Sequence, residues 1–269
     1  MTPLSVGSLF AGIGGFDLGL EATGGFITKW QVEIDPYCQR VLAKHWPTVP
    51  RYGDIRTVDW ATVEPVDVLC GGFPCQDLSF AGKRAGIDGA RSGLWSEYLR
   101  AIVSLRPRYV IVENVPGLLT NQYMGRVLGD LAACGYDAEW HCIPASSVGA
   151  PHKRDRVWIV ADSTIEQSPS RNKRQESGTV GESEQGQLRR SRRGDAIVRS
   201  VEPANYWETE PAVGELVDGI SCGLVRFDGR VTQTCKNRGP KLKALGNAVV
   251  PQIVEMLGRM ILLHEQEAP

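Results

Sequence analysis

Over roughly its first 160 residues the chain alternates short apolar runs with longer stretches whose apolar residues recur at helical spacing. No other feature restricts the fold as strongly. The runs LSVGSLF, ITKWQVEI, VDVLCGG, RYVIVEN and RVWIVAD read as strands. Between them, GGFDLGLEAT opens on glycines and PYCQRVLAKHW carries proline in its first turn. SGLWSEYLRAIVSL and GRVLGDLAACG also show helical spacing. Strands alternating with helices predict an α/β fold with a mostly parallel sheet covered on both faces. Ligands in such sheets bind at the carboxyl ends of the strands, and most of the unusual residues of this chain fall there.

The alternation stops after Asp162. The following segment, to about residue 204, is polar, rich in both arginine and glutamate, and nearly free of large apolar residues. It is expected to be a flexible insert, because it cannot bury enough surface to order itself. KALGNAVVPQIVEMLGRMILL then closes the chain as a loop and an amphipathic helix. The expected organisation is an α/β domain over 1–162, a region over 163–241 that opens with the polar insert, and a returning loop and helix over 242–269. The net charge of -1 provides no global basic field, so a nucleic-acid surface would have to be local. The start of the chain lacks the pattern of a signal peptide, and no apolar run is long enough to span a bilayer. Seven cysteines without CxxC pairing are expected to be reduced thiols in a cytosol, with no metal.

Several short motifs carry chemistry. In SLFAGIGGFDLG, glycines after a strand let the backbone approach a ligand, although the spacing is not a full GxGxxG; a glycine-rich turn would look the same. Glu33 and Asp54 follow strands, where an acid commonly accepts ribose hydroxyls, or simply caps a turn. In GGFPCQDLSF, Pro74 and its glycines shape a rigid turn that can present Cys75 to a pocket; the bland alternative is an inert buried thiol. VENVPGL places Glu113 and Asn114 at a strand end, Glu113 being an acid–base candidate or a turn cap. Strand alternation in HKRDRVWIVA points Arg154 and Arg156 the same way, which suits an anion or a polarised carbonyl, or a charged strand edge. ALGNAVVPQ sets Asn247 in a turn before the last helix.

In this order, SLFAGIGGFDLGLE, VEID, GDIR, GGFPCQDLSFAG, VENVPGL, HKRDRVWIVA and LGNAVVPQ resemble the motif series of the cytosine carbon-5 DNA methyltransferases. The resemblance covers residues 6–161 and 242–262, and FPCQ with ENV is its most specific pair. It implies a doubly wound, Rossmann-like sheet that binds S-adenosylmethionine, with a small, irregular target-recognition region, as in compact bacterial or phage-type members. By resemblance, Cys75 adds to carbon 6 of a flipped-out cytosine, and carbon 5 then takes the methyl group. Loss of the carbon-5 proton and expulsion of the thiol release 5-methylcytosine. Pro74 orients the thiol, and Glu113 bonds the ring nitrogen and amino group. Asn114 braces the loop, while Arg154 and Arg156 hold the base carbonyl and the glutamate. The family usually has glutamine where this chain has His152.

The cofactor side follows in the same way. Phe10, Gly12, Ile13, Gly14, Glu33, Ile34, Asp54, Ile55, Leu94, Asn247 and Ala248 are expected around S-adenosylmethionine, with Glu33 on the ribose and Asp54 on the adenine amino group. The glycine-rich stretch after Cys75, with Ser79, Lys83, Arg84 and Arg91, resembles the family's mobile, DNA-contacting loop. The resemblance implies double-stranded DNA as partner, no membrane or metal, a monomer, a bacterial or phage-infected host cytoplasm, and a cognate restriction endonuclease as an accompanying protein.

Three other readings remain: an RNA cytosine-5 methyltransferase, a cysteine hydrolase using Cys75, and a catalytically impaired DNA-binding relative. The hydrolase lacks a histidine in a recognisable partner motif, and the impaired relative conflicts with the presence of Cys75, Glu113 and Arg154 together. Replacing Lys83 and Arg84 with alanine is expected to weaken DNA binding and flatten the plot of log affinity against log salt by about two units of slope. Binding titrations across a salt series measure this, and an unchanged slope removes both residues from the phosphate contact.

Overall fold

The computed structural model describes residues 2–74, 93–119, 123–163, 216–217, 220–221 and 238–267. β1 (Leu4–Leu9) leads into α1 (Gly15–Ala22), and β2 (Phe26–Val32) into α2 (Pro36–His45). The short β3 (Arg51–Tyr52) is followed by a 3₁₀ turn at Ile55–Thr57 and by β4 (Val68–Gly71). Next come α3 (Leu94–Leu105), β5 (Tyr109–Asn114), α4 (Tyr123–Ala133), β6 (Tyr136–Pro144) and β7 (Asp155–Ser163). A two-residue pair, β8 (Leu216–Val217) with β9 (Ile220–Ser221), stands outside the main sheet. α5 (Arg238–Asn247) and α6 (Pro251–Glu267) complete the described elements.

Seven strands form one sheet in the order β3-β2-β1-β4-β5-β7-β6. The pairs from β3 through β5 are parallel, and β7 runs antiparallel to both of its neighbours. The expected α/β fold is therefore present, with one reversed strand. The reversal has a simple cause. The connection between β6 and β7 is shorter than the dozen or more residues a parallel crossover needs. β6 and the two-residue β3 escaped the sequence reading because they are the two edge strands. Most of YDAEWHCIP faces solvent, so it lacks the apolar run that marks an interior strand. The second difference lies near the end of the chain. Residues 243–247, read as loop, are the last turns of α5.

The interior strands are buried on both faces, which is why they read as continuous apolar runs. Alternate residues divide between two cores. Leu9, Leu69, Val110, Val112 and Ile159 pack with Trp95, Tyr98 and Ile102 of α3 and with Val127 and Leu131 of α4. Val6, Val68, Cys70, Ile111 and Trp158 pack on the other face with Phe16 and Leu20 of α1 and with Ile253, Val254, Leu257 and Ile261 of α6. Among the described residues no helix is long and apolar enough to cross a membrane, and no group of three His, Cys, Asp or Glu is placed to hold a metal.

One buried polar cluster ties the first three elements together. The Asp17 carboxylate in α1 accepts from Ser8 Oγ of β1 (3.1 Å) and from Gln31 Nε2 of β2 (3.0 Å). Burial pushes the Asp17 carboxyl up to about 6, against the lowering effect of those hydrogen bonds. An acid whose pKa rises on folding contributes stability that is complete below its unfolded value and is lost as pH rises through the folded one. Asp17→Asn removes the ionisation. Gln31 Oε1, which has no hydrogen-bond partner among the described residues, can accept from the new amide. The variant is expected to gain up to about 3 kcal/mol over the parent at about pH 8 and little at about pH 4. Urea unfolding at both pH values measures the difference.

Candidate active site

The site begins where β4 and β5 end side by side. Their register closes at Gly71↔Val112, which brings Gly72 against Glu113. A Cβ at Gly72 would stand 2.6 Å from Glu113 Oε2, so only glycine leaves the carboxylate its place. The next residue, Phe73, is buried and meets the Trp95 ring at 5.4 Å between centroids. Asn114 Nδ2 donates to the Phe73 carbonyl (3.2 Å), and Asn114 Oδ1 accepts from Val115 N–H (2.8 Å). Asn114 thus joins the two strand-end loops immediately before the exposed Pro74. Cys75, Ser79, Lys83, Arg84 and Arg91 lie outside the described residues.

β7 supplies the charge opposite Glu113. Trp158 pairs with Glu113 across the β5–β7 ladder, and Arg156, two residues earlier, shares its face. Arg156 Nε stands 2.9 Å from Glu113 Oε1. Burial nevertheless holds the Glu113 carboxyl above its ordinary range, with the Arg156 and Arg154 guanidinia opposing that rise. The site therefore holds a carboxyl whose proton affinity burial raises, paired with a fixed cation.

The strand alternation expected to align Arg154 with Arg156 does not reach Arg154, although both guanidinia act on the Glu113 carboxyl. Arg154 precedes β7 and has φ of 36°, in the left-handed region, so regular alternation stops before it. Its Nη2 donates to the carbonyls of Gly246 (2.8 Å) and Ala248 (2.6 Å). Burial and Arg156 lower its pKa. His152 is half-buried, and burial with the nearby Arg154 charge lowers its pKa as well.

The glycine loop after β1 forms the second half of the site. Phe10 has φ of 50°, a strained setting for an aromatic residue, and packs toward Tyr98 at 6.3 Å between ring centroids. Gly14, the N-cap of α1, has φ of 86°, and a Cβ there would meet Trp46 at 2.4 Å. Glu33 is largely buried, and Gly12 N–H and Asp35 N–H each donate to one of its oxygens, both at 2.7 Å. Ile34, directly after it, is 61 % exposed.

The remaining expected residues occupy varied settings. Ile13 is half-buried, and Leu94 opens α3 against the core. Asp54 caps the Ile55–Thr57 turn through Arg56 N–H and also forms a two-point pair with the Arg56 side chain. Ile55 is a core residue rather than a surface one. Asn247 is exposed at the last position of α5, not in a free turn, and Ala248 follows half-buried.

Single-residue reading missed the supports. Arg100 Nη1 and Nη2 donate to the Val58 and Ile55 carbonyls (3.0 and 2.9 Å), fixing the Asp54 turn to α3. Gln39 Nε2 donates to the Glu33 carbonyl (2.6 Å), and Lys243 pairs with Asp35 (3.1 Å). Only Asp35 before Pro36 carried a local signal, that of a helix N-cap. A strained aromatic, an exposed isoleucine, a partly satisfied carboxylate and the open space above Gly12 together fit an adenosyl ligand: a planar ring, a diol and a close backbone approach.

Comparison with known proteins gives one family. Residues 4–208 match the model of the C-5 cytosine-specific DNA methylases. Type II methyltransferase M2.BsuMI of Bacillus subtilis is 38 % identical over 168 residues, covering 59 % of this chain and 42 % of its own. Type II methyltransferase M.Bsp6I of a Bacillus species is 37 % identical over 168 residues, covering 61 % and 53 %. The chain thus spans about half the length of these relatives. Among solved structures, a candidate DNA modification methyltransferase encoded within an E. coli prophage aligns with a TM-score of 0.51 and 29 % identity, covering 60 % of this chain and 47 % of that one. The Entamoeba histolytica methyltransferase EhMeth aligns at 0.55 with 18 % identity, over 62 % and 55 %, and shares the fold.

The Glu113–Arg156 pair makes a prediction about stability. Without Arg156, the Glu113 pKa rises further, so the associated stability is lost as pH climbs through it. Arg156→Met is expected to cost about 3 kcal/mol at about pH 8, and clearly less at about pH 5, where Glu113 can take up a proton. Denaturant unfolding at the two pH values checks the difference.

Proposed function

The chain belongs to the C-5 cytosine-specific DNA methylase family, and from that premise we propose that it transfers a methyl group from S-adenosylmethionine to carbon 5 of a cytosine in double-stranded DNA. The observation that carries this reading is the buried Glu113–Arg156 pair beside the Phe73–Pro74 turn, with Asn114 joining the two loops. Cys75 follows that turn directly. When bound, S-adenosylmethionine supplies the methyl group as an electrophile.

The chain's own residues do the rest. The Cys75 thiolate adds to carbon 6 of the cytosine. Addition drives electron density toward ring nitrogen 3, where Glu113, whose proton affinity burial raises, donates a hydrogen bond or a proton. Arg156 engages Oε1 and fixes the carboxyl, while Oε2 stays beside Gly72. Once carbon 5 carries the methyl group, its proton passes to solvent and the thiolate leaves carbon 6, which restores the ring. Phe10, Gly12, Ile13, Gly14, Glu33, Ile34, Asp54, Leu94, Asn247 and Ala248 hold the cofactor, with the Glu33 oxygens retaining lone pairs for the ribose hydroxyls. Ile55 supports this pocket from the core.

The target base must leave the duplex to reach the thiol. Ser79, Lys83, Arg84 and Arg91 are assigned to the DNA contact, and residues 163–241 to target recognition. The type II methyltransferases among the relatives favour a place in a restriction-modification or phage protection system, and the same reading has the chain act as a monomer in a bacterial or phage-infected host cytoplasm.

Incubation with methyl-labelled S-adenosylmethionine tests the reaction, using duplex DNA and RNA in parallel. Label is expected in DNA, absent with Cys75→Ser, and about 10²- to 10⁴-fold slower with Glu113→Gln. Bisulfite sequencing then reads the modified cytosines. Label in RNA alone, or labelling of DNA that survives Cys75→Ser, overturns the assignment.

A further inference from the structure

We propose that Arg154 is a positioning residue for the cofactor pocket, holding the turn that carries Asn247, rather than a ligand of the cytosine. This inference rests on the methyltransferase reading above. Its starting point is the pair of bonds from Arg154 Nη2 to the carbonyls of Gly246 and Ala248, which flank Asn247. The last carbonyls of a helix have no partner within it, and a cation there also meets the negative end of the helix dipole. Gly246 O is such a carbonyl of α5, so Arg154 caps that helix from the far side of the chain.

The held turn continues into the glycine loop. A Cβ on Gly15, the first residue of α1, would lie 2.6 Å from Val249 Cγ2, so Val249 already rests on the start of that helix. On its other flank, α5 is tied by Lys243 to Asp35, whose N–H donates to Glu33. The segment around Asn247 is thus fixed at three places, two of them in the glycine loop and the Glu33 corner, and Arg154 is the third. Arg154, with its left-handed backbone, spends its Nη2 hydrogen bonds on the Asn247 turn, while Arg156 pairs with Glu113. Two neighbouring arginines therefore serve the two halves of the site: Arg156 holds the acid, and Arg154 holds the turn that borders the cofactor.

The test uses the full chain with Arg154→Ala and Arg154→Lys. Calorimetric binding of S-adenosylhomocysteine is expected to weaken about tenfold for the alanine variant and by a smaller factor for lysine, which keeps the charge but loses the planar fork. In turnover, KM for S-adenosylmethionine rises while kcat at saturating cofactor stays within about threefold. Amide hydrogen exchange is expected to quicken at residues 246–250. A loss of kcat with unchanged cofactor binding would place Arg154 on the base and overturn the inference, and unchanged binding, kcat and exchange would do the same. Should the alanine variant not fold, the lysine variant decides by the same measurements. Failure of the parent protein to bind S-adenosylhomocysteine would refute the methyltransferase reading itself, whereas parent binding with unaltered variants would refute only the role of Arg154.

Discussion

The candidate site depends on how closely β4 and β5 approach at their carboxyl ends. Parallel pairing in register through Gly71↔Val112 carries the two chains out of the sheet together. The missing side chain at Gly72 then lets the Glu113 carboxylate lie against the opposing backbone. Everything around it follows from that proximity. Asn114 can reach the Phe73 carbonyl, Phe73 can bury itself against Trp95, and the turn bearing Pro74 acquires a fixed origin. A side chain at Gly72 would push these groups apart, and the tight core behind them offers little room for adjustment.

Charge is arranged around this contact with few redundant partners. Arg156 meets the buried acid, while Arg154 meets backbone carbonyls at a helix end. Asp54 is matched by Arg56, and Asp35 by Lys243. The Glu33 oxygens are held by backbone amides instead of a cation, which keeps that corner rigid without neutralising it. Asp17 lies beneath the same loop, linked to β1 and β2 through Ser8 and Gln31. Strain and exposure concentrate where a ligand would fit: Phe10 sits in the left-handed region, and Ile34 faces outward.

Much of the architecture was legible because interior strands of a parallel sheet are buried on both faces. VLCG and YVIVEN have no polar face to obscure the signal, and Asp35 before Pro36 marks a helix start as directly as sequence can. β6 was not legible, because an edge strand needs little apolar residue content to pair. The helical state of residues 243–247 was also hidden, since glycine and asparagine there read as punctuation although the helix is held by contacts with α2 and Arg154. Within the site, Glu33, Glu113 and Asn114 could be picked out from their places at strand ends. Gly72, Arg100, Gln39 and Lys243 could not, because each acts on a backbone or side chain brought near only by folding.

The sequence by itself determined the alternation of the interior strands with their helices, the burial of those strands and the set of chemically capable residues at their ends. Those properties depend on local periodicity and on the identity of each side chain, which the linear chain contains in full. The tertiary structure alone decided the partners. It gave Arg154 the carbonyls at a helix end and Arg156 the Glu113 carboxyl, and made Gly72 indispensable to Glu113. Distances across a sheet and between sequence-remote loops set hydrogen bonds, desolvation and pKa shifts, and these distances exist only once the chain has closed on itself.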